Sequence, residues 1–547
     1  MARIRVRDGE TIGSETIVGA GDALWIRIGG AIARTDGGTA VRITGGDAIF
    51  RNDGIVSVAG GSDPAVVGTF SGMLNLRFTN RGSISGDAVA VELSSTDGTT
   101  GDVLFTNYGT ITGGDDHAVA MRNLRASTIT VRNLEGGLIT NNGDSDVLRP
   151  GHDAKTAITV INGGTILAGT LEGGSSGGDA IDFQPKKGGV AGAVVNLATG
   201  HIEGGKHGIT GANEARISNA EGGVIIGRNG SGINYDTTAA DNDGYVTVIN
   251  NGLISGRYDG FGDGDGDGVD VDYLVLIRNS GTIEGVGADL VENFADGVAA
   301  GGGVINNLVG GVIYGQSNGI LIDDGDRNGA YAETLVVNDG TISADLGYGV
   351  RFIGTFNDTV VNRGTIATAA TIALDLGGGD DVVRNAGTIT GQVLLGDGND
   401  VYRDTGSVGA SVWGGAGDDV IVGGAGADWI NGGAGRDRLT GGAGDDVFDF
   451  DNLLDSGTTI ATADRILDFA AGDTIRLASI DADATLDGDQ AFTFVGAAAF
   501  SGTAGELRAT VINGSTMITA DVDGDKVADF GILLLDMADP SALAFVL

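Results

Sequence analysis

Four aspartates recur every nine residues in the segment 414–449, which reads GGAGDDVIV, GGAGADWIN, GGAGRDRLT and GGAGDDVFD. They are Asp419, Asp428, Asp437 and Asp446. Two phrases make one turn of a parallel coil, so aspartates eighteen residues apart would stack roughly 4.8 Å apart along its axis. Stacked carboxylates repel each other, and a hard cation with about six to eight oxygen ligands removes that repulsion. The spacing predicts Ca²⁺ sites, because Mg²⁺ prefers an octahedron and retains waters.

Glycines occupy the second and fourth positions of each phrase, where they permit a tight loop and expose backbone carbonyls that can complete the metal's shell. These predicted metal-site glycines are Gly415, Gly417, Gly424, Gly426, Gly433, Gly435, Gly442 and Gly444. The phrase GGxGxDxUx resembles the RTX repeat, the haemolysin-type calcium-binding repeat, over four unbroken copies. The resemblance implies a β-roll that binds several Ca²⁺ ions in an exported protein.

Two looser copies of the phrase precede the four regular ones. They are LGGGDDVV around Asp381 and LGDGNDVY around Asp400. Asp381, Asp400 and Asp419 follow one another at intervals of nineteen residues, which is one coil plus a single insertion. We therefore predict half-occupied calcium loops at Asp381 and Asp400.

The composition describes a repeat protein rather than several compact cores, because the 547 residues include 102 glycines, 4 prolines and few aromatics. The 73 acidic residues outnumber the 32 basic ones and give a net charge of −41. That charge argues against nucleic acid and anionic membranes as partners, and we expect no membrane insertion. Since cysteine is absent from the sequence, packing, hydrogen-bond ladders and metal must replace disulfides.

A longer phrase recurs ahead of the calcium loops, typified by NRGSISG at 80 and NYGTITG at 107. Thirteen copies begin at Asn52, Asn80, Asn107, Asn133, Asn162, Asn196, Asn219, Asn250, Asn279, Asn307, Asn338, Asn362 and Asn385, at intervals of 23 to 34 residues. Short β-branched segments without helical periodicity predict the rungs of a parallel β-helix. An asparagine at a fixed corner can donate its amide to the same amide one rung away, so we predict a stacked structural ladder. The region resembles the passenger-type and lyase-type parallel β-helices.

We predict an all-β fold in which a right-handed parallel β-helix, or solenoid, runs into an RTX calcium β-roll and then a C-terminal β-sandwich-like cap. The predicted boundaries are 1–394 for the β-helix with about thirteen rungs, 376–450 for the overlapping β-roll, and 451–547 for the C-terminal domain. No linker is expected, because NAGTITG at 385 falls between the two loose calcium loops.

Two further acidic segments are candidate metal sites. The loop DGFGDGDGDGVDVDY contains Asp259, Asp263, Asp265, Asp267, Asp270 and Asp272. Alternate aspartates can converge on one ion, and a merely solvated loop is the equal alternative. Near the C-terminus, Asp521, Asp523, Asp525 and Asp529 occupy positions one, three, five and nine of a turn, which fits either a Ca²⁺ site or an Asp-Gly hairpin.

The last hundred or so residues, with DRILDFAAGDTIRLASID and AFSGTAGEL, resemble the carboxy-terminal β-domain of the serralysin-type secreted proteases. The resemblance implies a cap on the roll and an uncleaved type I export signal. The final AFVL keeps the apolar part of the family's ending and lacks its acidic residue. MARIRVRDGETI contains no apolar run of a cleavable secretory signal. We therefore expect export by the type I secretion machinery to the extracellular space or cell surface.

No His-Glu-x-x-His motif of the serralysin proteases occurs in the sequence, so protease activity is not expected. The secreted alginate epimerases also join a β-helix to RTX modules, and they carry an Asp-Pro-His motif. The nearest match here is Pro150-Gly151-His152-Asp153 with Lys155, in which a glycine intrudes and the order differs. We predict a protein that is not an enzyme, with an epimerase- or lyase-like activity on polysaccharide as the alternative.

These features favour a secreted, calcium-dependent structural protein of the cell surface or extracellular matrix. We expect it to form a homo-oligomer or polymer, as a surface layer or filament, because the strand in MARIRVRD exposes unpaired backbone groups unless another subunit covers them. Adhesion, with a surface polysaccharide as partner, belongs to the same hypothesis.

Overall fold

The computed structural model describes residues 2–96, 99–121, 124–150, 156–169, 177–183, 192–211, 214–236, 244–258, 266–287, 294–323, 329–407, 409–540 and 543–547. Within these residues the chain consists of β-strands and turns, without an α-helix. Two compact units are distinguished. The first comprises Met1–Gly302 with Gly310–Ile320, and the second comprises Gly303–Val309 with Leu321–Leu547. In the part of the chain that is described, no helix is long and apolar enough to cross a membrane.

Three columns of parallel strands build the first unit, and each turn of the chain adds one strand to each column. Column A contains Arg3–Val6, Ala23–Ile26, Ile49–Asn52, Leu76–Asn80, Asp102–Asn107, Thr128–Asn133, Ala157–Asn162, Gly192–Asn196, Ala215–Asn219, Val246–Asn250 and Val275–Asn279. Column B contains Thr11–Ile12, Ala31–Arg34, Ile55–Val58, Ser83–Ser85, Thr110–Thr112, Leu138–Thr140, Thr165–Leu167, His201–Gly204, Val224–Gly227, Leu253–Arg257, Thr282–Val286 and Val312–Gly315. Column C contains Thr16–Val18, Val41–Ile43, Val66–Phe70, Val91–Ser95, Val119–Ala120, Leu148–Arg149, Ile181–Asp182, Ile209–Gly211, Ile233–Tyr235, Val269–Val271 and Val298–Ala300.

The second unit begins with the same pattern and then changes to two columns. Its column A contains Gly303–Asn307, Thr334–Asn338, Thr359–Asn362, Val382–Asn385, Val401–Asp404, Val420–Gly424, Arg438–Gly442, Asp464–Ile466 and Phe530–Leu534. Strands Thr341–Ala344 and Val350–Phe352 both pair with the single long strand Thr365–Asp375. The merged column continues with Thr388–Asp397, Ser411–Ala416, Trp429–Ala434, Val447–Asp449, Thr474–Arg476 and Phe545–Val546. Strand Ile320–Ile322 spans the division between the units. Two columns per turn are the arrangement that the nine-residue phrases require.

The tail of the second unit adds antiparallel strands. Thr493–Phe494 pairs in parallel with Glu506–Ile512, which pairs antiparallel with Ser515–Asp521, and that strand pairs antiparallel with Phe530–Leu534. Phe530–Leu534 also pairs in parallel with Asp464–Ile466, so the meander is continuous with column A. The predicted C-terminal cap is therefore built, within the described residues, as a meander that extends a sheet of the solenoid.

The predicted asparagine ladder is present at the end of column A strands in both units. Asn107 is fully buried, accepts a hydrogen bond from Asn80 Nδ2 at 2.8 Å and donates its own Nδ2 to Asn133 Oδ1 at 2.8 Å. The same pattern runs from Asn52 to Asn279 in the first unit and from Asn307 to Asn385 in the second. Because each amide satisfies the next, the ladder fixes strand register without leaving buried polar groups unpaired.

Alternation of buried and outward side chains along each strand places the core inside the columns. The burial pattern of Thr128–Asn133, for example, has Ile129, Val131 and Asn133 inside. Phe50, Phe78 and Phe105 occupy one position on three successive rungs and stack with ring centroids 4.4 Å apart. Identical residues therefore stack on themselves along the coil. The prediction of an all-β fold with a parallel β-solenoid is confirmed by this pairing.

Candidate calcium site

The loops between the strands of the roll depend on glycine because successive loops lie in close contact. Gly417 and Gly435 have φ angles of 135° and 150°, which side-chain-bearing residues rarely adopt. A Cβ atom on Gly435 would lie 2.0 Å from the carbonyl oxygen of Gly417 one rung away. The predicted glycines Gly415, Gly424, Gly433, Gly442 and Gly444 also have positive φ angles, and a Cβ on Gly444 would lie 2.1 Å from the carbonyl oxygen of Gly426.

One line of aspartates runs through the second unit and is named here the first aspartate column. Its members are Asp358, Asp381, Asp400, Asp419, Asp437 and Asp464. Each Oδ1 accepts a hydrogen bond from a backbone N–H one rung earlier, beginning with Thr334, at 2.6 to 2.8 Å. One carboxylate oxygen of each residue is thus part of the scaffold, as the asparagine amides are.

A shorter line, the second aspartate column, comprises Asp428, Asp446 and Asp473. The Oδ1 atoms of Asp428 and Asp446 accept the backbone N–H groups of Ala410 and Asp428 at 2.6 and 2.9 Å. Asp473 Oδ1 accepts the N–H of Asp446 at 3.1 Å. The four regular phrases therefore supply their aspartates alternately to the two columns, as a turn of two phrases requires.

The second carboxylate oxygen of most column members has no hydrogen-bond donor. The buried Oδ2 atoms without a partner among the described residues are those of Asp381, Asp400, Asp419, Asp428, Asp437, Asp446 and Asp464. A buried anionic oxygen without a donor is costly, so its environment must provide a cation or a proton. The six column aspartates that the sequence identified all have this property, together with Asp464.

Backbone carbonyls border the same space as these oxygens. A Cβ placed on Gly414 would lie 2.2 Å from Asp419 Oδ2 and 2.2 Å from the carbonyl oxygen of Gly432. A Cβ on Gly423 would meet Asp428 Oδ2 at 2.5 Å and the Gly441 carbonyl oxygen at 2.8 Å. Gly414 and Gly423 therefore each keep open a small cradle lined by a carboxylate oxygen and a backbone carbonyl oxygen. An all-oxygen donor set, part carboxylate and part carbonyl, fits a hard cation such as Ca²⁺.

Burial disfavours the charged state of these carboxylates in the absence of a cation. It raises the pKa of Asp381 and of Asp419 to about 8, and the pKa of Asp400 and of Asp428 to about 6. Burial also raises the pKa of Asp446. Neighbouring aspartates further raise each pKa, while the backbone N–H bond at Oδ1 lowers it. A bound divalent cation reverses the balance, because it stabilises the ionised carboxylates.

Sequence reasoning missed three sets of residues around the columns. Asp464 follows Asp437 by 27 residues instead of 18, because a longer segment intervenes, so the repeat period did not reveal it. Asp358 and Asp473 lie outside any recognisable copy of the phrase. The first glycines of the phrases are Gly414, Gly423, Gly432 and Gly441, and their fixed phase was the signal that could have identified the cradle.

The C-terminal candidate turn has two different parts. Carboxylate oxygens of Asp521, Asp523 and Asp525 lie within 4.8 Å of one another. The backbone N–H groups of Gly524 and Lys526 donate to the two oxygens of buried Asp521, at 2.8 and 3.0 Å. Asp529 stands apart from this group and accepts the N–H of Val522 at 2.9 Å. The geometry satisfies a hydrogen-bonded turn, and the metal site at these residues stays a prediction.

The remaining sequence candidates fall partly outside the described residues. Asp259, Asp263 and Asp265 of the acidic loop lie outside them, as do His152 and Lys155 of the epimerase-like segment. In column C, Asp270 has Asn234 and Ala299 as its strand neighbours. Asp267 Oδ1 accepts the N–H of Asp296, and Asp272 donates its N–H to the Tyr235 carbonyl.

The described histidines contact scaffold groups. His207 is buried, which lowers its pKa to about 3, and its Nδ1 accepts the N–H of Ser231 at 3.0 Å. His201 Nε2 lies 2.7 Å from a carboxylate oxygen of Glu203. His117 contacts Asp116. Within the described parts of the chain, no histidine lies in a cluster of side chains that could hold a metal ion.

Comparison with known proteins agrees with the geometry of the columns. A family model described as the RTX calcium-binding nonapeptide repeat matches residues 413–448 in four copies. No curated protein matches the chain. RTX nonapeptide repeats bind Ca²⁺, typically several ions. The segment 413–448, in which the two aspartate columns alternate on a parallel β-solenoid, is thus a run of four RTX calcium-binding repeats.

Proposed function

We propose that the protein is a secreted, calcium-dependent structural protein of the cell surface or extracellular matrix, and that copies assemble into a surface layer or filament. RTX repeats on a β-solenoid fit a secreted calcium-binding structural protein. The observation that carries the proposal is the set of buried Oδ2 atoms without donors in the aspartate columns. Sites of this kind fill where calcium is plentiful, outside the cell, and the type I secretion machinery is the proposed route.

Self-assembly is supported by the open edge of the first strand. In the described residues, Arg3–Val6 pairs on one side only, with Ala23–Ile26. Such an edge is a template for another strand. Leu454 and Ile28 are 85% and 79% exposed, and so each unit also presents apolar side chains that contact with a second copy would bury. Calcium supports association as well, because it neutralises part of the charge of −41 that each copy carries.

Electron microscopy and light scattering of the purified protein test this proposal. In millimolar Ca²⁺ we expect layers or filaments, which chelation with EGTA disperses. Mg²⁺ at equal concentration serves as the matched ion, with the same charge and a poorer fit to the donor set. A monodisperse species at all calcium concentrations would contradict self-assembly and leave a solitary calcium-binding protein.

We further propose that the protein has no enzymatic activity of its own. The epimerase- or lyase-like alternative rests on the segment around His152. Incubation with uronate polymers should yield no unsaturated chain ends and no change in uronate composition. Products that disappear in His152→Ala would establish the alternative.

A further inference from the structure

The outer side of column A carries a group of arginines in the first four rungs, named here the basic face. Its members are Arg3, Arg5, Arg27, Arg51, Arg77 and Arg81. All six except Arg51 are exposed, and Arg51 is half-buried. The four strands that carry or precede them, RIRV, ALWI, IFRN and LRFTN, contain no acidic residue.

Trp25 lies at the centre of the basic face and organises it. The guanidinium carbons of Arg5, Arg27 and Arg51 lie 5.9, 5.0 and 4.6 Å from its ring centroid. The indole Nε1 donates to Asp53 Oδ2 at 2.7 Å, which fixes the ring. A guanidinium that stacks on an aromatic ring uses its face and leaves its edge N–H groups for an anion.

Most of this positive charge is not neutralised within the described residues. Arg51 pairs with Asp53 at 2.8 Å, whereas Arg3, Arg5 and Arg27 form no ion pair in the described part of the chain. The first 60 residues contain 7 basic and 7 acidic residues, so the other 487 contain 25 basic and 66 acidic ones. A cluster of cations without ion-pair partners among the described residues is unexpected in a chain of net charge −41 unless an anionic partner uses it.

The cations are arranged in rows along the coil. Arg5 and Arg51 flank Trp25 as strand neighbours on adjacent rungs. Arg3 and Arg77 stand at the two ends of a parallel row through Ala23 and Ile49. Rungs follow each other at roughly 4.8 Å. A shallow groove of about 170 Å³ lies along these rows. It is lined by Arg3, Arg5 and Arg51 together with Trp25 and the apolar residues Ile4, Ala23, Leu24 and Ile49.

We propose that the basic face binds a linear anionic polysaccharide through the carboxylate, sulfate or phosphate groups spaced along that polymer. A groove bordered by cations two and three rungs apart suits a flexible chain with anionic groups spaced along it. The acidic surface of a second copy is the competing occupant, but a groove of about 170 Å³ admits a single extended chain and not a folded surface. The inference deepens the proposed surface role by naming a ligand class, and it does not require self-assembly.

Two triple variants of equal charge provide the test. Arg5→Gln/Arg27→Gln/Arg77→Gln removes three exposed cations of the basic face. The matched control, Arg132→Gln/Arg216→Gln/Arg278→Gln, removes three exposed arginines from outer positions of later column A strands. Circular dichroism in calcium confirms that each variant keeps its β-structure.

Binding is measured with labelled polygalacturonate, which carries carboxylates, with heparin, which carries sulfates, and with neutral dextran, all in millimolar calcium. The wild type should bind at least one polyanion and not dextran, and the preferred polymer identifies the anionic group. The basic-face variant should bind roughly tenfold more weakly, and the control variant within about twofold of wild type.

Equal losses in the two variants, or no binding to either polyanion, would overturn the proposal. Light scattering on the same samples distinguishes binding of a polysaccharide from binding of a second copy. If the basic-face variant alone loses a salt-sensitive dimer while polysaccharide binding stays unchanged, the occupant is a second copy and the glycan proposal is wrong. Absence of any assembly, with binding intact, would contradict only the proposed self-assembly.

Discussion

Each column aspartate divides its carboxylate between two tasks. In Asp446, Oδ1 accepts the backbone N–H of Asp428 at 2.9 Å, whereas buried Oδ2 has no donor. The first task is structural and resembles that of a ladder asparagine. The second needs a cation, because an anionic oxygen in a buried cradle gains little from water. This division explains why aspartate, and not asparagine, occupies the position in every RTX phrase.

Asp446→Asn separates the two tasks, because the amide keeps an Oδ1 acceptor and loses the anionic oxygen. We expect one weaker calcium site. A tenfold weaker site loses about 1.4 kcal/mol of calcium-dependent stabilisation at saturating calcium. Asp445→Asn removes the same charge from the exposed neighbouring residue and should change stability by less than about 0.5 kcal/mol. Calcium titration calorimetry and thermal melts measure both effects, and equal effects of the two substitutions would contradict the assignment.

The raised pKa values give the metal-free roll an unusual pH dependence. Burial raises the pKa of Asp419 to about 8, well above about 3.9 for an unfolded aspartate, so the metal-free fold binds protons more tightly than the unfolded chain. Stability of the metal-free protein should therefore be greatest near pH 4 and fall as pH rises toward 8. Melts of metal-stripped protein between pH 5 and about 9 measure this, and calcium should remove most of the trend. A melting temperature that rises with pH without calcium would be contrary evidence.

At the scale of the strands and loops, two kinds of ladder lie at opposite ends of column A strands in the second unit. Asp381 directly precedes the strand Val382–Asn385, and Asn385 ends it. Within the asparagine ladder, each side-chain amide donates to the next asparagine and accepts a hydrogen bond from the previous one. In the second unit it ends where Asn385 Nδ2 donates to Asp404 Oδ2 at 2.8 Å, with Tyr402 donating to the same oxygen at 3.2 Å. Beyond that point the aspartate columns continue and their Oδ2 atoms depend on metal. The change from three columns to two occurs in the same part of the chain.

Asn107→Ala tests the self-satisfied ladder. The Nδ2 atom of Asn107 donates to Asn133, to the Gly109 carbonyl at 2.9 Å and to the Leu138 carbonyl at 3.2 Å. Its removal leaves several buried groups unpaired, so we expect a loss of about 2–4 kcal/mol in the free energy of unfolding. Asn75→Ala removes an exposed amide that donates to Asp47 and should cost less than about 1 kcal/mol. Urea denaturation in calcium compares the two, and similar losses would argue against a structural role for the ladder.

The sequence predicted most of the periodic features and few of the aperiodic ones. Fixed spacing identified the asparagine ladder and the aspartates of the four phrases, because stacking in a coil requires identical residues at identical positions. Asp464 was not identified because 27 residues, instead of 18, separate it from Asp437. The basic face was not identified because its residues come from four successive rungs and share no phrase. The merging of two columns at Thr365–Asp375 is a tertiary consequence of shorter turns, and no local signal marks it.

At the scale of the whole molecule, both units contain an asparagine ladder, and within the described residues the aspartate columns lie in the second unit. The first unit holds nine asparagines in one continuous ladder, from Asn52 to Asn279, whose amides are paired with one another. The second unit holds the aspartate columns, in which seven buried oxygens lack donors among the described residues. Removal of calcium should therefore destabilise the second unit more than the first. Folding of the roll becomes coupled to calcium binding, and the coiled rungs of the first unit do not share that dependence.

Hydrogen–deuterium exchange with and without calcium tests this inequality directly. The backbone amides of Asp400 and Asp419 donate to column carboxylates, so their protection reports on the columns, while amides in strand Asp102–Asn107 report on the asparagine ladder. In EGTA we expect column amides to exchange at least roughly tenfold faster and ladder amides to keep their protection, because local opening follows local stability. Restoring calcium, and not magnesium, should restore the protection. Column amides that stay protected in chelator would mean that the roll closes without metal, and calcium would then be a surface ligand and not part of the fold.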